Sequence, residues 1–364
     1  MNKTLASIAC LALASFVVLF SCSDDSGTDP ESPAPAPAAT VPPDPSIPLS
    51  FFFGNLHSHT EYSDGQGTPE QAFDWARDSA GYDFYVVTDH AEMLSASEWD
   101  STGAIADSRN EDGAFVALRG FEWSHPIFGH ICVLNTSTYK GAFDMFSPDT
   151  FYAWIDSSDG LAQFNHPGRE AYVFDTFKYD DDLYDNFFAV ETGNNDGEFL
   201  PYLNQAIGAG WRVAPTSNQD NHTLSTNSHR TVIIAESLTR AGLLHAIRER
   251  RLYSSDDPNM RLSFKSGDYW MGSNIVGSPG RYLFDVSVTD DEPIARIEFL
   301  NMAGTVLDTH EPSGSQTSAT VTFEASVSSD QCFYVMVYEN DSNNDDPAYA
   351  EQIAVSAPIW VFPR

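Results

Sequence analysis

Between Phe51 and Tyr253 the chain keeps returning to one pattern, a short apolar run followed by a helical or loop stretch. The runs are Phe51–Leu56, Phe84–Thr88, Phe115–Glu122, His130–Leu134, Leu161–Asn165, Phe187–Glu191, Arg212–Thr216 and Thr231–Ala235. Between the first two, Thr68 reads as an N-cap, Pro69 as the first helical position and Glu70 as the acid of the first turn. Leu243–Arg250 reads as an amphipathic helix whose Arg-rich end suits a helix C-terminus. Strands and helices alternating at this spacing predict a parallel sheet, open or closed into a barrel.

Beyond Asn259 the texture changes. Tyr282–Val288, Ala295–Leu300, Ala319–Phe323 and Cys332–Tyr338 alternate with period two and are separated by Gly, Asp, Ser and Asn turns. They predict a small all-β, sandwich-like domain over residues 259–364 that caps and stabilises the first domain, 51–258. A glycan- or partner-binding role is the alternative for it. Asp341, Asn343 and Asp345 have the spacing of a calcium loop, but an Asn/Asp-rich hairpin tip accounts for them more simply.

The N-terminus combines Lys3 with an apolar stretch from Leu5 to Phe20, too short to span a bilayer comfortably, and then Leu19-Phe20-Ser21-Cys22. It resembles a bacterial lipoprotein signal over residues 1–21, with Cys22 as the lipidated mature N-terminus. Residues 22–50, acidic and then Pro/Ala-rich, cannot bury a core and predict a disordered tether. The expected address is the cell envelope, at the outer membrane, with membrane contact only through the lipid. Cys132 and Cys332 lie in strand-like runs and are expected to be buried and free. A formal net charge of −34 repels polyanions, which argues against nucleic-acid partners and leaves small-molecule substrates.

The strand ends carry the chemistry. In His57-x-His59, residues i and i+2 of a strand face the same side, with Cα atoms roughly 7 Å apart, and Asp64 follows in turn chemistry. Later runs end in or are followed by Asp89-His90, Glu122, His166, Glu191 and Asp220-x-His222, and His130 stands at the opening end of the run His130–Leu134. In a parallel barrel the C-terminal strand ends converge on one face. Six of the chain's ten His residues fall at such ends, interleaved with Asp and Glu, which points to a metal centre.

In this order the motifs resemble the PHP superfamily, named for polymerase and histidinol phosphatase domains, over roughly Phe51 to Tyr253. The resemblance implies a distorted (β/α)7 TIM-like barrel and two or three divalent ions. His57, His59, Glu122 and Asp64 match the first two metal positions, and His90, His130, His166, Asp220 and His222 the remaining ones. The last motif departs from the family's usual Gly-Ser-Asp-x-His, reading Ser217-Asn218-Gln219-Asp220-Asn221-His222 here. Glu191 and Asp89 are expected behind the ligands, while His125 and His229 fit no ligand position and are assigned to the surface or to substrate contacts. Imidazoles with a few carboxylates suit Zn, Mn or Fe.

The expected activity is phosphoester hydrolysis by a metal-bridging hydroxide, with Asp220 and His222 in the catalytic machinery and Arg169 holding a phosphate oxygen. The chain also looks like the branch related to carbaryl hydrolases, which implies carboxyl or carbamate ester cleavage as the alternative. A third reading is a metal-dependent surface binding protein without turnover.

Overall fold

Local chemistry fixes the elements much as the apolar runs suggest. In order they are β1 (Ser50–Asn55), α1 (Pro69–Asp78), β2 (Phe84–Val87), α2 (Ala96–Arg109), β3 (Val116–His125), β4 (Gly129–Leu134), α3 (Pro148–Ser157) and β5 (Leu161–Asn165). Then come α4 (Val173–Phe177), β6 (Phe187–Asn194), β7 (Gly197–Glu198), α5 (Leu200–Ala209), β8 (Ala214–Ser217), β9 (Arg230–Ala235), α6 (Arg240–Arg248) and β10 (Leu252–Ser255). The start of α1 is a capping box. Gln71 N donates to Thr68 Oγ1, Thr68 N donates to Gln71 Oε1, and Pro69 opens the first turn.

The computed structural model describes residues 37–195, 197–339 and 352–364. The Lys3–Cys22 segment and the Asp341, Asn343, Asp345 tip fall outside them. Among the described residues no helix is long and apolar enough to cross a membrane. Of the expected tether, residues 37–49 are described, and Thr40 exchanges two hydrogen bonds with Asn274, so this end lies along the folded protein.

The sheet of the first half runs β10-β9-β1-β2-β3-β4-β5-β6, with β7 and β8 both on β6. Its ladders are mixed. β1/β2, β2/β3, β5/β6 and β6/β8 are parallel, whereas β1/β9, β9/β10, β3/β4 and β4/β5 are antiparallel. The expected parallel sheet is thus a mixed one, and the distorted (β/α)7 barrel implied by the resemblance is not confirmed. β8 comes close to β9 and β10, but among the described residues no ladder joins them, so the circuit stays open. The reason is local: residues 126–128 turn β3 directly into β4, and no helix separates β8 from β9. Two strands thus enter without the crossover that parallel pairing requires.

The second half is all β: β11 (Arg261–Ser266), β12 (Tyr269–Trp270), β13 (Asn274–Gly277), β14 (Gly280–Thr289), β15 (Ile294–Asn301), β16 (Val306–His310), β17 (Ser318–Val327), β18 (Gln331–Glu339), β19 (Gln352–Ser356) and β20 (Ile359–Pro363). A four-stranded sheet, β12-β11-β14-β17, faces strands of the large sheet. Phe264, Phe284, Phe299, Phe323 and Phe333 fill the space between, with Phe299 stacked on Phe323 and Phe333 at 5.1 and 5.3 Å. β19 pairs antiparallel with β10, Tyr253 opposite Ser356, so the large sheet runs on from one half into the other. Cys132 and Cys332 are free and buried.

Candidate metal centre

At the end of β1 the chain leaves the ladder under the control of amides. Asn55 donates to the His57 carbonyl and accepts from Gln219 N, while Leu56 N donates to Asn218 Oδ1. This buries His57 and His59 completely. Asp89, just after β2, takes three hydrogen bonds, from Thr60 N, Thr60 Oγ1 and Ser63 Oγ. Those bonds fix the loop that carries Asp64. Gly65 completes it, because a Cβ there would lie 2.5 Å from the His59 carbonyl.

Glu122 is the hub. It sits inside β3, which runs on to His125. Its Oε1 lies 3.1 Å from His57 Nε2 and 3.3 Å from His166 Nε2, and it accepts Asn165 Nδ2 at 2.7 Å. Its Oε2 lies 2.8 Å from His90 Nδ1, 3.4 Å from His130 Nδ1 and 3.8 Å from His59 Nε2. On one side, His57 Nε2 and His59 Nε2 face each other at 3.2 Å, with Asp220 Oδ1 at 3.3 and 3.1 Å from them. On the other, Asp64 Oδ1 stands 3.3 Å from His222 Nε2, 3.5 Å from His90 Nε2 and 4.0 Å from His59 Nδ1. His130, His166 and Glu170 make a further group of donors.

The frame behind these donors is polar and satisfied. Glu191 on β6 faces His57 Nδ1 at 3.1 Å and accepts from His166 N, Asn194 Nδ2 and Asn218 Nδ2. It thereby aims His57 Nε2 into the centre, the way an outer carboxylate orients a ligating imidazole. His166 and Asp220 hold φ values of 26° and 48°, a left-handed backbone that non-glycine residues adopt at a cost.

The electrostatics call for positive charge. Burial opposes a charge on His57, yet Cys132, Asp220, Glu191 and Glu122 hold its pKa well above the ordinary imidazole value. Burial likewise opposes His90, and Glu122 and Asp64 still bring it up to about 9. For Glu122 burial pushes upward, and His130 and His57 outweigh it and hold the carboxyl well below its usual range. Asp220 behaves the same way, through His57 and His59. Protons or divalent cations can supply that counter-charge. The donor set fits cations: nitrogen and oxygen atoms converge from several sides, and among the described residues His166 Nδ1 and Glu170 Oε2 are buried without a hydrogen-bond partner.

The structure brings together all nine residues read as ligands: His57, His59, Asp64, His90, Glu122, His130, His166, Asp220 and His222. The grouping differs from the motif order, since Asp64 sits with His90 and His222 rather than against Glu122. His130 arrives from the start of the antiparallel β4, not from a strand's C-terminal end. Arg169 lies 3.0 Å from Asp220 Oδ2, beside the centre. Glu170 escaped the sequence reading; its one signal was an acid four residues after His166. His125 and His229 are buried rather than superficial. His125 Nδ1 accepts from Ile127 N and Phe128 N and closes the β3–β4 turn, while His229 Nδ1 contacts Ser217 Oγ and Asp256 Oδ1.

No protein-family model and no curated protein matches the chain. Among solved structures it is similar to a two-domain protein from Bacteroides vulgatus described as containing a predicted PHP-like metal-dependent phosphoesterase. That match has 14% identity and a TM-score of 0.47, over 89% of this chain and 100% of that one. The chain is also similar to a CARDB domain from Pyrococcus furiosus in complex with di-metal ions, at 13% identity over 29% of this chain and 94% of that one, TM-score 0.21. Fibronectin(III)-like modules from Clostridium thermocellum match at 14% identity over 38% of this chain and 64% of that one, TM-score 0.20. The buried His, Glu and Asp clusters fit a metal site.

Proposed function

We propose that the protein is a metal-dependent hydrolase of ester bonds, with phosphoesters as the leading substrate class and two or three ions of the Zn, Mn or Fe type. The observation that carries this is Glu122, a fully buried carboxylate whose two oxygens face five imidazoles, flanked by Asp220 on one side and Asp64 on the other. Bound divalent ions acidify water and neutralise phosphoryl oxygens. His57, His59 and Asp220 would hold one ion, His90, Glu122 and His130 another, with His166 and Glu170 beside them, and Asp64, His90 and His222 the third. Exposure defines the approach: the side chains of Asp64, His222 and Arg169 are 48, 35 and 29% exposed, whereas those of His57 and His59 are 0%. Substrate meets the centre from that side, where Arg169 can take an anionic oxygen and Asp220 and His222 handle protons.

A second reading, carboxyl or carbamate ester hydrolysis, is favoured by the apolar rim beside the β3–β4 turn. Ile127, Phe146 and Tyr172 are exposed there, Phe146 packs 4.3 Å from His125, and Tyr172 N donates to the Ile127 carbonyl. Turnover of aryl phosphates against aryl acetates on one metal-loaded preparation, with Asp220→Ala as control, separates the two. Full metal content with no turnover of either class would leave a metal-dependent binding protein. The setting we infer is the cell envelope, through lipid on Cys22, and labelled-lipid incorporation that persists in Cys22→Ala would remove that anchor.

A further inference from the structure

A second concentration of buried charge lies where the end of β10, the β14–β15 turn and the last residue of β18 come together. Asp257, Asp290, Glu292 and Glu339 are all buried, Glu339 with 0% exposure. Register pairs Glu339 with Ile294 on one side and with Gln352 on the other, so it projects from the middle of three strands rather than from an edge. The carboxylates are anchored from behind. Asp257 Oδ1 accepts from Asn259 N and Met260 N, Asp290 Oδ1 accepts from Asp291 N, and Asn259 Nδ2 reaches Asp291 Oδ1, tying the two turns to each other.

Among the described residues, neither oxygen of Glu339 has a hydrogen-bond donor, and Oδ2 of Asp290 has none. Yet the Glu339 and Asp290 carboxyls abut. Two acceptors in contact form a hydrogen bond only if a proton is trapped between them. Otherwise they require a cation, because buried carboxylates without donors or counter-charge are strongly disfavoured.

We infer that Asp290, Glu292 and Glu339, with Asp257, form a binding site for a hard divalent cation of the calcium class, separate from the His-rich centre. The donors are oxygen atoms alone, with no imidazole or thiol among them, which selects calcium-like ions over zinc, manganese or iron. Calcium also accepts carboxylates in irregular geometry, as residues from three separate segments supply, whereas magnesium demands a regular octahedron and keeps its water. Burial, the Asp290 contact and the negative charges of Asp257 and Glu292 all oppose an uncompensated charge on Glu339. Such a cation would clamp β10, the β14–β15 turn and β18. It would also lie one residue from Asp256, whose carboxylate contacts Ser217 and His229 and whose carbonyl accepts Gln352 Nε2.

The test uses the full-length protein stripped with EDTA and titrated with calcium chloride, followed by calorimetry and thermal melting, for wild type, Glu339→Gln and Asp290→Asn. Wild type should bind calcium stoichiometrically and melt higher with it. Both variants should bind it at least about tenfold more weakly, while keeping the transition-metal content of the His-rich centre. In EDTA, Glu339→Gln should melt above wild type, since the repulsion is gone. Calcium binding by either variant as tight as wild type overturns the site. So does a wild type that ignores calcium, which would identify a carboxyl pair sharing a proton.

Discussion

Glu122 and Glu339 are both fully buried glutamates, yet their surroundings drive them in opposite directions. Glu122, among imidazoles, is held well below the usual carboxyl range, and Glu339, among carboxylates, is pushed up to about 11. Burial opposes ionisation in both, so the neighbours decide the outcome. In the first cluster, nitrogen and oxygen donors converge from the ends of separate strands behind a frame of Glu191, Asn165 and Asn218. In the second, the donors are oxygen alone, with Asp257 and Asp290 held by main-chain bonds of turns and Glu339 projecting from β18. Equal burial of negative charge thus leads to two kinds of cation demand, one for borderline metals and one for hard ions.

The contrast breaks most sharply at its hubs. Glu122→Gln should lower ester turnover by at least about a thousandfold and release transition metal, with the calcium-dependent melting shift intact. Elemental analysis and melting on one sample check this, and retained metal would dissolve the distinction. Glu191→Gln touches only the frame, so transition-metal affinity should fall roughly 10- to 100-fold, measured by chelator competition, and return at saturating metal.

Glu339→Gln sharpens the other side through pH. A carboxyl whose pKa rises on folding stabilises fully below its unfolded value, about 4.5, and loses that contribution as pH climbs toward its folded value of about 11. Without metal, wild type should therefore fall behind Glu339→Gln by a growing margin, a few degrees of melting temperature, as pH rises from about 5 to about 8. A constant gap would mean that Glu339 ionises normally. The smallest effect belongs to His125→Phe, which keeps a ring and removes the acceptor. Loss of the turn-closing acceptor should cost about 1 kcal/mol of stability, read by denaturant unfolding, and leave both metal responses unchanged.

Much of the centre was legible because the apolar runs end in ligand-type residues, and runs such as Leu161–Asn165 coincide with the observed strand. What escaped depended on pairing direction. Nothing in the run His130–Leu134 says that it pairs antiparallel on both sides, and that reversal opened the barrel and brought His130 in from a strand start. Asp64 grouped with His90 and His222 because the Asp89 hydrogen bonds set the loop, a long-range effect. His125 and His229 looked superficial because a buried His is indistinguishable in sequence from an exposed one until its hydrogen-bond partners are known. The acidic cluster was invisible for the same reason: Asp257 and Asp290 sit among turn residues where acids are ordinary, and Glu339 closes an apolar run whose strand partners the sequence does not show.

The pairing of β19 with β10 has a practical consequence for cutting the gene. Ending the chain after residue 258 looks like a natural way to isolate the metal-binding half, but it would strip Ser356, Val355 and Ala354 from Tyr253, Ser254 and Ser255. Those main-chain groups, now satisfied, would become an open template for another molecule's strand. A shortened product should precipitate or self-associate, and its inactivity would then say nothing about the chemistry of the histidines.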